Sequence, residues 1–210
     1  MKDMFDRRPS ITRRQTVSAS AVVLVLMAAV AVLAIDKPFY PDTSNICGGY
    51  SGDAVWQYSM PSIDTHKHRI VCSGIEDESG WLRSNWEYCQ VGGFDTGNIT
   101  VQSFFEIVGS QTDSGNGLVK TRAKMRVVRT DNQGTYYKTG AWHTGPWSGT
   151  GDGYIQLTLV ISDDNRWFKK YDVTTWVESR AYSYGWSDYA EIDWYNSGGY
   201  IKQSHIRLYG

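Results

Sequence analysis

"VKTRAKMRV", residues 119–127, alternates without a break: Val119, Thr121, Ala123, Met125 and Val127 hold the odd positions, and Lys120, Arg122, Lys124 and Arg126 the even ones. A helix would scatter both sets around its circumference. An extended strand places successive side chains on opposite faces, so the four cations line one face, roughly 6.5–7 Å apart, and the uncharged set lines the other. The stretch predicts a half-buried strand with a charged outer surface.

The same period recurs along the chain. "NITVQSFFEIV" (98–108) puts Ile99, Val101, Phe105 and Ile107 on one face, and "YIQLTLVI" (154–161) does the same with Ile155, Leu157, Leu159 and Ile161. Between such runs stand "TDNQGT" (130–135), "SDDN" (162–165) and "NSGG" (196–199), whose Asn, Asp and Gly suit tight hairpins. No 3.6-residue period of any length follows residue 35. With 9 Trp, 14 Tyr and 21 Gly in 210 residues, the pattern predicts nine to eleven strands. The fold class is all-β: an antiparallel β-sandwich of jelly-roll or immunoglobulin-like kind.

One hydrophobic helix is expected ahead of it. Lys2, Arg7, Arg8, Arg13 and Arg14 precede an uncharged run from Val17 to Ile35, with only Asp3 and Asp6 opposing them. That asymmetry orients the run with its C-terminal side outside the cytoplasm. Its 19 residues would rise roughly 28 Å as a helix, close to a bilayer core, which suits an anchor. Small residues at Val32-Leu33-Ala34 suit cleavage of a signal peptide after Ala34 instead. Thr12-Arg13-Arg14 resembles the core of a twin-arginine export signal. The expected organisation is 1–35 as signal peptide or membrane anchor, 36–53 as a tether rich in Pro, Gly and turn residues, and 54–210 as the sandwich. Either fate of the leader gives an extracytoplasmic domain, secreted or held at the cytoplasmic membrane.

The chain carries 21 basic and 22 acidic residues; without the leader's five and two, 16 and 20 remain, near −4. A weakly acidic domain argues against general nucleic-acid binding. In an exported domain disulfides form. Cys72 and Cys89, on either side of an acidic, Gly-containing loop, are the expected bridge, with Cys47 pairing to either as the alternative.

Four aligned cations need negative charge nearby. Glu191 and Asp193 in "DYAEIDW" have the spacing of cross-strand partners; an anionic polymer is the other candidate. "AEIDWYN" (190–196) resembles the Glu-x-Asp-x-x-Glu strand of a family of β-jelly-roll glycoside hydrolases, whose first and last acids are nucleophile and acid/base. Glu191 and Asp193 match its first two positions and Asn196 stands at the third. Retaining hydrolysis needs two carboxyls about 5–5.5 Å apart, so the resemblance does not carry catalysis to this chain. His66 and His68 share a strand face at a spacing metal sites use, and are expected as exposed imidazoles on an edge strand.

Two aromatic clusters suit stacking on sugar rings: Trp142 and Trp147 in "GAWHTGPWSGTGDGY" (140–154), and Tyr184 and Trp186 in "YSYGWSDY" (182–189). The reading is an exported binding domain, without cofactor or metal, that recognises glycan or an anionic surface polymer through Trp142, Trp147, Tyr184 and Trp186, with Lys120, Arg122, Lys124 and Arg126 as the charged contact. A glycan-active hydrolase or lyase and a structural or toxin-like secreted β protein are the rivals.

Overall fold

The structure, a computed structural model, describes residues 36–94, 97–131, 133–162 and 168–210. The leader therefore lies outside the described residues, as does most of the 162–165 turn. No helix occurs among the described residues. The strands in chain order are β1 (Asp36–Phe39), β2 (Thr43–Ser51), β3 (Val55–Ser62), β4 (Thr65–Cys72), β5 (Asp77–Phe94), β6 (Ile99–Ser114) and β7 (Leu118–Arg129). The second half holds β8 (Thr135–Thr139), β9 (His143–Thr144), β10 (Trp147–Ile161), β11 (Phe168–Tyr184), β12 (Tyr189–Asp193), β13 (Tyr200–Lys202) and β14 (Ile206–Tyr209).

All pairings are antiparallel and build two sheets. In the eight-stranded sheet, long β6 pairs with β10 along one side. Along its other side it takes β14, β13 and β12 end to end. β4 closes on β12 and β13, β3 borders β4, and β1 borders β14. The six-stranded sheet runs β2-β5-β11-β7-β8, with β9 also on β7. The all-β sandwich of the sequence reading is thus the observed fold, with more strands than expected, several of them long.

The interior lies between the sheets. Ile99, Val101, Phe105 and Ile107 of β6 are buried, as are Ile155, Leu157 and Ile161 of β10. They face Val119, Ala123, Met125 and Val127 of β7, and Leu82, Trp86 and Tyr88 of β5, from the other layer. At roughly 1.5–3 kcal/mol per fully buried large apolar side chain, this interior drives closure of the sandwich. The β6–β7 hairpin depends on Gly115: it turns at φ 64°, and a Cβ there would meet Asp188 Oδ1 at 2.3 Å. That same carboxylate oxygen accepts from the Asn116 amide at 2.9 Å.

A polar seam crosses the interior. His68 Nε2 and Ser179 Oγ lie 2.9 Å apart, His68 Nδ1 and Ser84 Oγ 3.3 Å apart, and Trp194 Nε1 donates to Ser179 at 3.2 Å. Thr121 Oγ1 reaches both Ser179 and Gln111. The amide of Gln111 then donates to the carbonyls of Gly145, at 2.6 Å, and His143, at 3.3 Å.

Three expectations are corrected here. Residues 36–53 are not a tether: β1 and β2 lie in them, paired to β14 and β5. His66 and His68 are not exposed. β3 covers the edge of β4, and both imidazoles point inward with Ile70 and Cys72. His66 stacks on Trp86 at 4.4 Å and 16°. Cys72 and Cys89 do not bridge, and all three cysteines are free thiols. The Cys72 thiol sits between the sheets against the Ala181 carbonyl, at the level of Gly80, the partner of Ala181 in β5. Cys89 is nine residues further along β5, roughly 30 Å at strand rise, against a bridging limit of about 7 Å.

Candidate functional site

The even-numbered residues of β7 face outward, as the alternation requires, and pairing across the six-stranded sheet puts four rungs of side chains on that face. Lys120 is level with Arg180, Trp81 and Gly49; Arg122 with Glu178, Arg83 and Cys47. Lys124 is level with Trp176, Asn85 and Asn45; Arg126 with Thr174, Glu87 and Thr43.

Glu178, only 7% exposed, organises the centre. Its Oε2 receives Arg122 and Lys124, each at 3.1 Å, and its Oε1 receives Arg180. Burial works against its charge, but hydrogen bonds from Arg180 and Lys124 and their positive charges outweigh this and hold the carboxyl below the usual carboxylate range. The expected partners, Glu191 and Asp193, lie in the other sheet. There Arg69 lies 2.7 Å from Glu191 and 3.8 Å from Asp193. Tyr189 donates to Glu191 at 2.5 Å, and Asp193 accepts from the amides of Tyr195 and Asn196. Both acids are committed to structure, and His205 is away from them, beside Ser204, Tyr40 and Phe104.

Trp142 is brought over the cations by the backbone. The Gly140 amide donates to the Ala123 carbonyl at 2.9 Å and the Gly145 amide to that of Val119 at 3.1 Å, so the 140–145 segment runs along β7. The guanidinium carbon of Arg122 lies 3.9 Å from the Trp142 ring centre, Lys120 Nζ 5.0 Å and Arg180 5.5 Å. Lys120 also lies 5.1 Å from the ring of Tyr182, which is parallel to that of Tyr184 at 6.2 Å. Trp142, Lys120, Tyr182 and Tyr184 therefore form one continuous strip. Trp186, two residues past the end of β11 at Tyr184, is 77% exposed.

Trp147 is elsewhere. It packs against the core, edge-on to buried Trp194 at 5.3 Å and beside His143 at 5.7 Å. Of the eight expected contact residues, it is the one packed against the core, away from the strip and the cation row.

The face also carries residues that the sequence reading passed over. Trp81, 40% exposed, lies across Gly49, where a Cβ would meet its indole nitrogen at 2.9 Å. Arg83 stands 5.7 Å and Lys124 6.0 Å from the ring of Trp176. A groove of about 540 Å³ opens between β2, β5, β11 and β7, lined by Asn45, Arg83, Asn85, Glu87, Arg126 and Trp176 among others. Among the described residues no group of side chains has the composition of a metal site.

No protein-family model matches the chain, and no curated protein matches it. Solved structures do. One is from work on the promiscuous specificity of carbohydrate-binding modules of the β-sandwich superfamily, at 9% identity and TM-score 0.35, covering 82% of this chain and 62% of that one. Another is the C-terminal family 6 carbohydrate-binding module of a marine laminarinase from Zobellia galactanivorans, at 10% identity and TM-score 0.28, covering 79% of this chain and all of that one. A third is infectious bursal disease virus, Gt strain, at 14% identity and TM-score 0.28, covering 80% of this chain and 38% of that one. This chain thus spans less than two thirds of the first of these.

Proposed function

We propose that the sandwich binds glycan, without catalysis, across the outer face of the six-stranded sheet. The observation that carries this reading is the continuous strip Trp142–Tyr182–Tyr184 with Lys120, Arg122 and Arg180 beside it on a solvent-facing sheet. Sugar rings present a weakly polar C–H face and a rim of hydroxyls. Indole and phenol rings cover the first, and guanidinium, ammonium and amide groups hydrogen-bond the second. Trp142 is fixed by its cations and its backbone bonds before any ligand arrives, which lowers the ordering cost of binding. Trp186 extends the strip outward. Lys124 and Arg126 continue the charged row toward the groove.

The domain acts outside the cytoplasm, in the secreted or membrane-anchored form that the basic residues and apolar run of 1–35 provide. N-terminal sequencing of the protein from its native host distinguishes cleavage after Ala34 from retention.

Electrophoresis of the purified protein through gels holding plant, algal or bacterial polysaccharides tests the binding reading. Retardation by at least one polysaccharide, lost in Trp142→Ala and weakened in Tyr184→Ala, is expected. Equal retardation of both variants and the parent protein rules out the strip.

A second reading, a self-associating surface protein, is favoured by β3. Among the described residues this strand pairs with β4 alone and exposes Val55, Tyr58 and Met60. An edge of that kind can add a further strand. Sedimentation that depends on protein concentration, abolished by Tyr58→Lys, would support it.

A further inference from the structure

We propose that the groove between β2, β5, β11 and β7 takes the acidic group of a carboxylated sugar, so that the ligand of this face is an acidic polysaccharide. This deepens, and rests on, the glycan-binding reading above.

The cations of the face fall into two sets. Arg122, Lys124 and Arg180 share Glu178. Arg83 and Arg126, which line the groove, have no ion-pair partner among the described residues, and Arg83 lies 5.7 Å from the centre of the Trp176 ring. Among the described residues the groove therefore offers two positive charges outside any ion pair, against the single carboxylate of Glu87.

Its buried donors point the same way. Arg83 Nε and Trp176 Nε1 are shielded from solvent and lack an acceptor among the described residues. Neither atom can accept a hydrogen bond, so the partner both call for is an oxygen with lone pairs. A carboxylate reaches them only as the Arg83 guanidinium shifts on the Trp176 ring, and the acceptor gained then offsets the cost of leaving them unmatched. A carboxylate is planar and accepts two parallel N–H bonds from a guanidinium, which suits Arg83 and Arg126 better than it would suit lysines.

The rest of the lining selects a sugar over other polyanions. Glu87 stands level with Thr174 and Arg126 and accepts from Thr43 at 3.1 Å. The Glu87 carboxylate accepts from sugar hydroxyls and disfavours polymers of high charge density; a sugar chain with one acid per ring carries less charge than a polyphosphate. Asn85, which donates to Asn45 at 2.6 Å, adds amide polarity on the same side. Trp176 supplies the ring against which the sugar lies. At about 540 Å³ the groove falls within the size range of small-ligand sites. It adjoins the Trp142–Tyr184 strip through Lys124 and Glu178, so a chain anchored by its acid at Arg83 and Arg126 would run on across the strip.

The test pairs each acidic polymer with its uncharged twin. Polygalacturonate and alginate are compared with their methyl esters, alongside neutral xylan, mixed-linkage β-glucan and a poly(U) RNA, by calorimetry on the full chain. Expected is binding of at least one acid form about tenfold or more tighter than its ester. In Arg126→Gln, an exposed position where folding is not at stake, the preference for acid form over ester should disappear, whatever the variant does to binding of the ester itself. Arg83→Gln should do the same. Equal affinity for acid and ester, binding of neutral glycans alone, tighter binding of poly(U), or an acid preference that survives Arg126→Gln each overturn the acidic inference while leaving a binding face. No binding to any of the glycans overturns both the inference and the glycan reading.

Discussion

Arg122 lies with its guanidinium 3.9 Å from the ring centre of Trp142 while its edge is held by Glu178 at 3.1 Å. The half-buried Trp142 ring is thus placed by a carboxylate it does not touch. Glu178→Gln should remove the charge that holds Arg122, Lys124 and Arg180 together. The expected loss is about 2 kcal/mol, below the roughly 3–5 of a fully buried pair because the three cations keep partial contact with water. Urea denaturation measures it. Because the Glu178 carboxyl sits below the usual range when folded, its contribution is present above the ordinary carboxylate pKa and fades as pH falls through its folded value. The deficit of the variant should therefore shrink in acid.

The inward histidines predict a second, separate pH dependence. Burial lowers His66 to about 4, opposed weakly by Asp64, and burial with the neighbouring His66 lowers His68 to about 3. Both are neutral when folded, whereas the unfolded chain takes up protons near pH 6.5. Stability is therefore full above about 6.5 and falls as pH drops toward 4, by on the order of 3 kcal/mol per imidazole. His66→Phe keeps a ring against Trp86 and removes one titration. Its melting temperature should change less than the parent's between pH 7 and pH 4.5.

Gln111 ties the interior to the contact strip. It is buried, and its amide holds the carbonyls of Gly145 and His143 just beyond Trp142. Gln111→Met should cost about 1–2 kcal/mol of stability for the freed carbonyls. It should also weaken glycan binding through a less ordered Trp142, although residue 111 lies inside the sandwich. Unchanged affinity at unchanged Trp142 fluorescence anisotropy would separate the two.

The two flanking tryptophans should part company under substitution. Trp147→Ala opens a space beside Trp194 and should lose about 2–3 kcal/mol, somewhat less than a fully buried tryptophan, with little effect on ligand affinity. Trp186→Ala, at a 77% exposed position, should leave stability within about 0.5 kcal/mol and reduce affinity. Thermal melts and gel retardation of both variants read this out.

What could be read in advance followed from periodicity, and what could not followed from phase and long-range pairing. The outward row of β7 was legible because its two residue classes differ in charge. The 81–88 run of β5 alternates less strictly, with Ser84 among its inward residues, and Trp81 faces out and Trp86 in, so residue type alone does not give the face. Leu82 and Tyr88 share the phase of Trp86 and would have revealed it. His66 and His68 share the phase of Ile70 and Cys72, a signal that polar residue type obscured. Glu191 and Asp193 have the right spacing for the cation row. Which sheet β12 joins is decided by pairing with β4 and β6, more than a hundred and about eighty residues earlier, and local sequence does not encode that. β2 was hidden because, at a sheet edge and with Gly48 and Gly49 in its course, it buries no alternating set.

The free thiols supply a clock. Cys89 is exposed on one layer, while Cys72 is sealed between the layers, its thiol pushed up to about 12 by burial with the nearby charge of Glu78 adding to it. An alkylating reagent should consume Cys89 at once, half-buried Cys47 more slowly, and Cys72 last, only when the two layers part. The slow phase of labelling then times their separation, and any saturating ligand that clasps one layer should lengthen it.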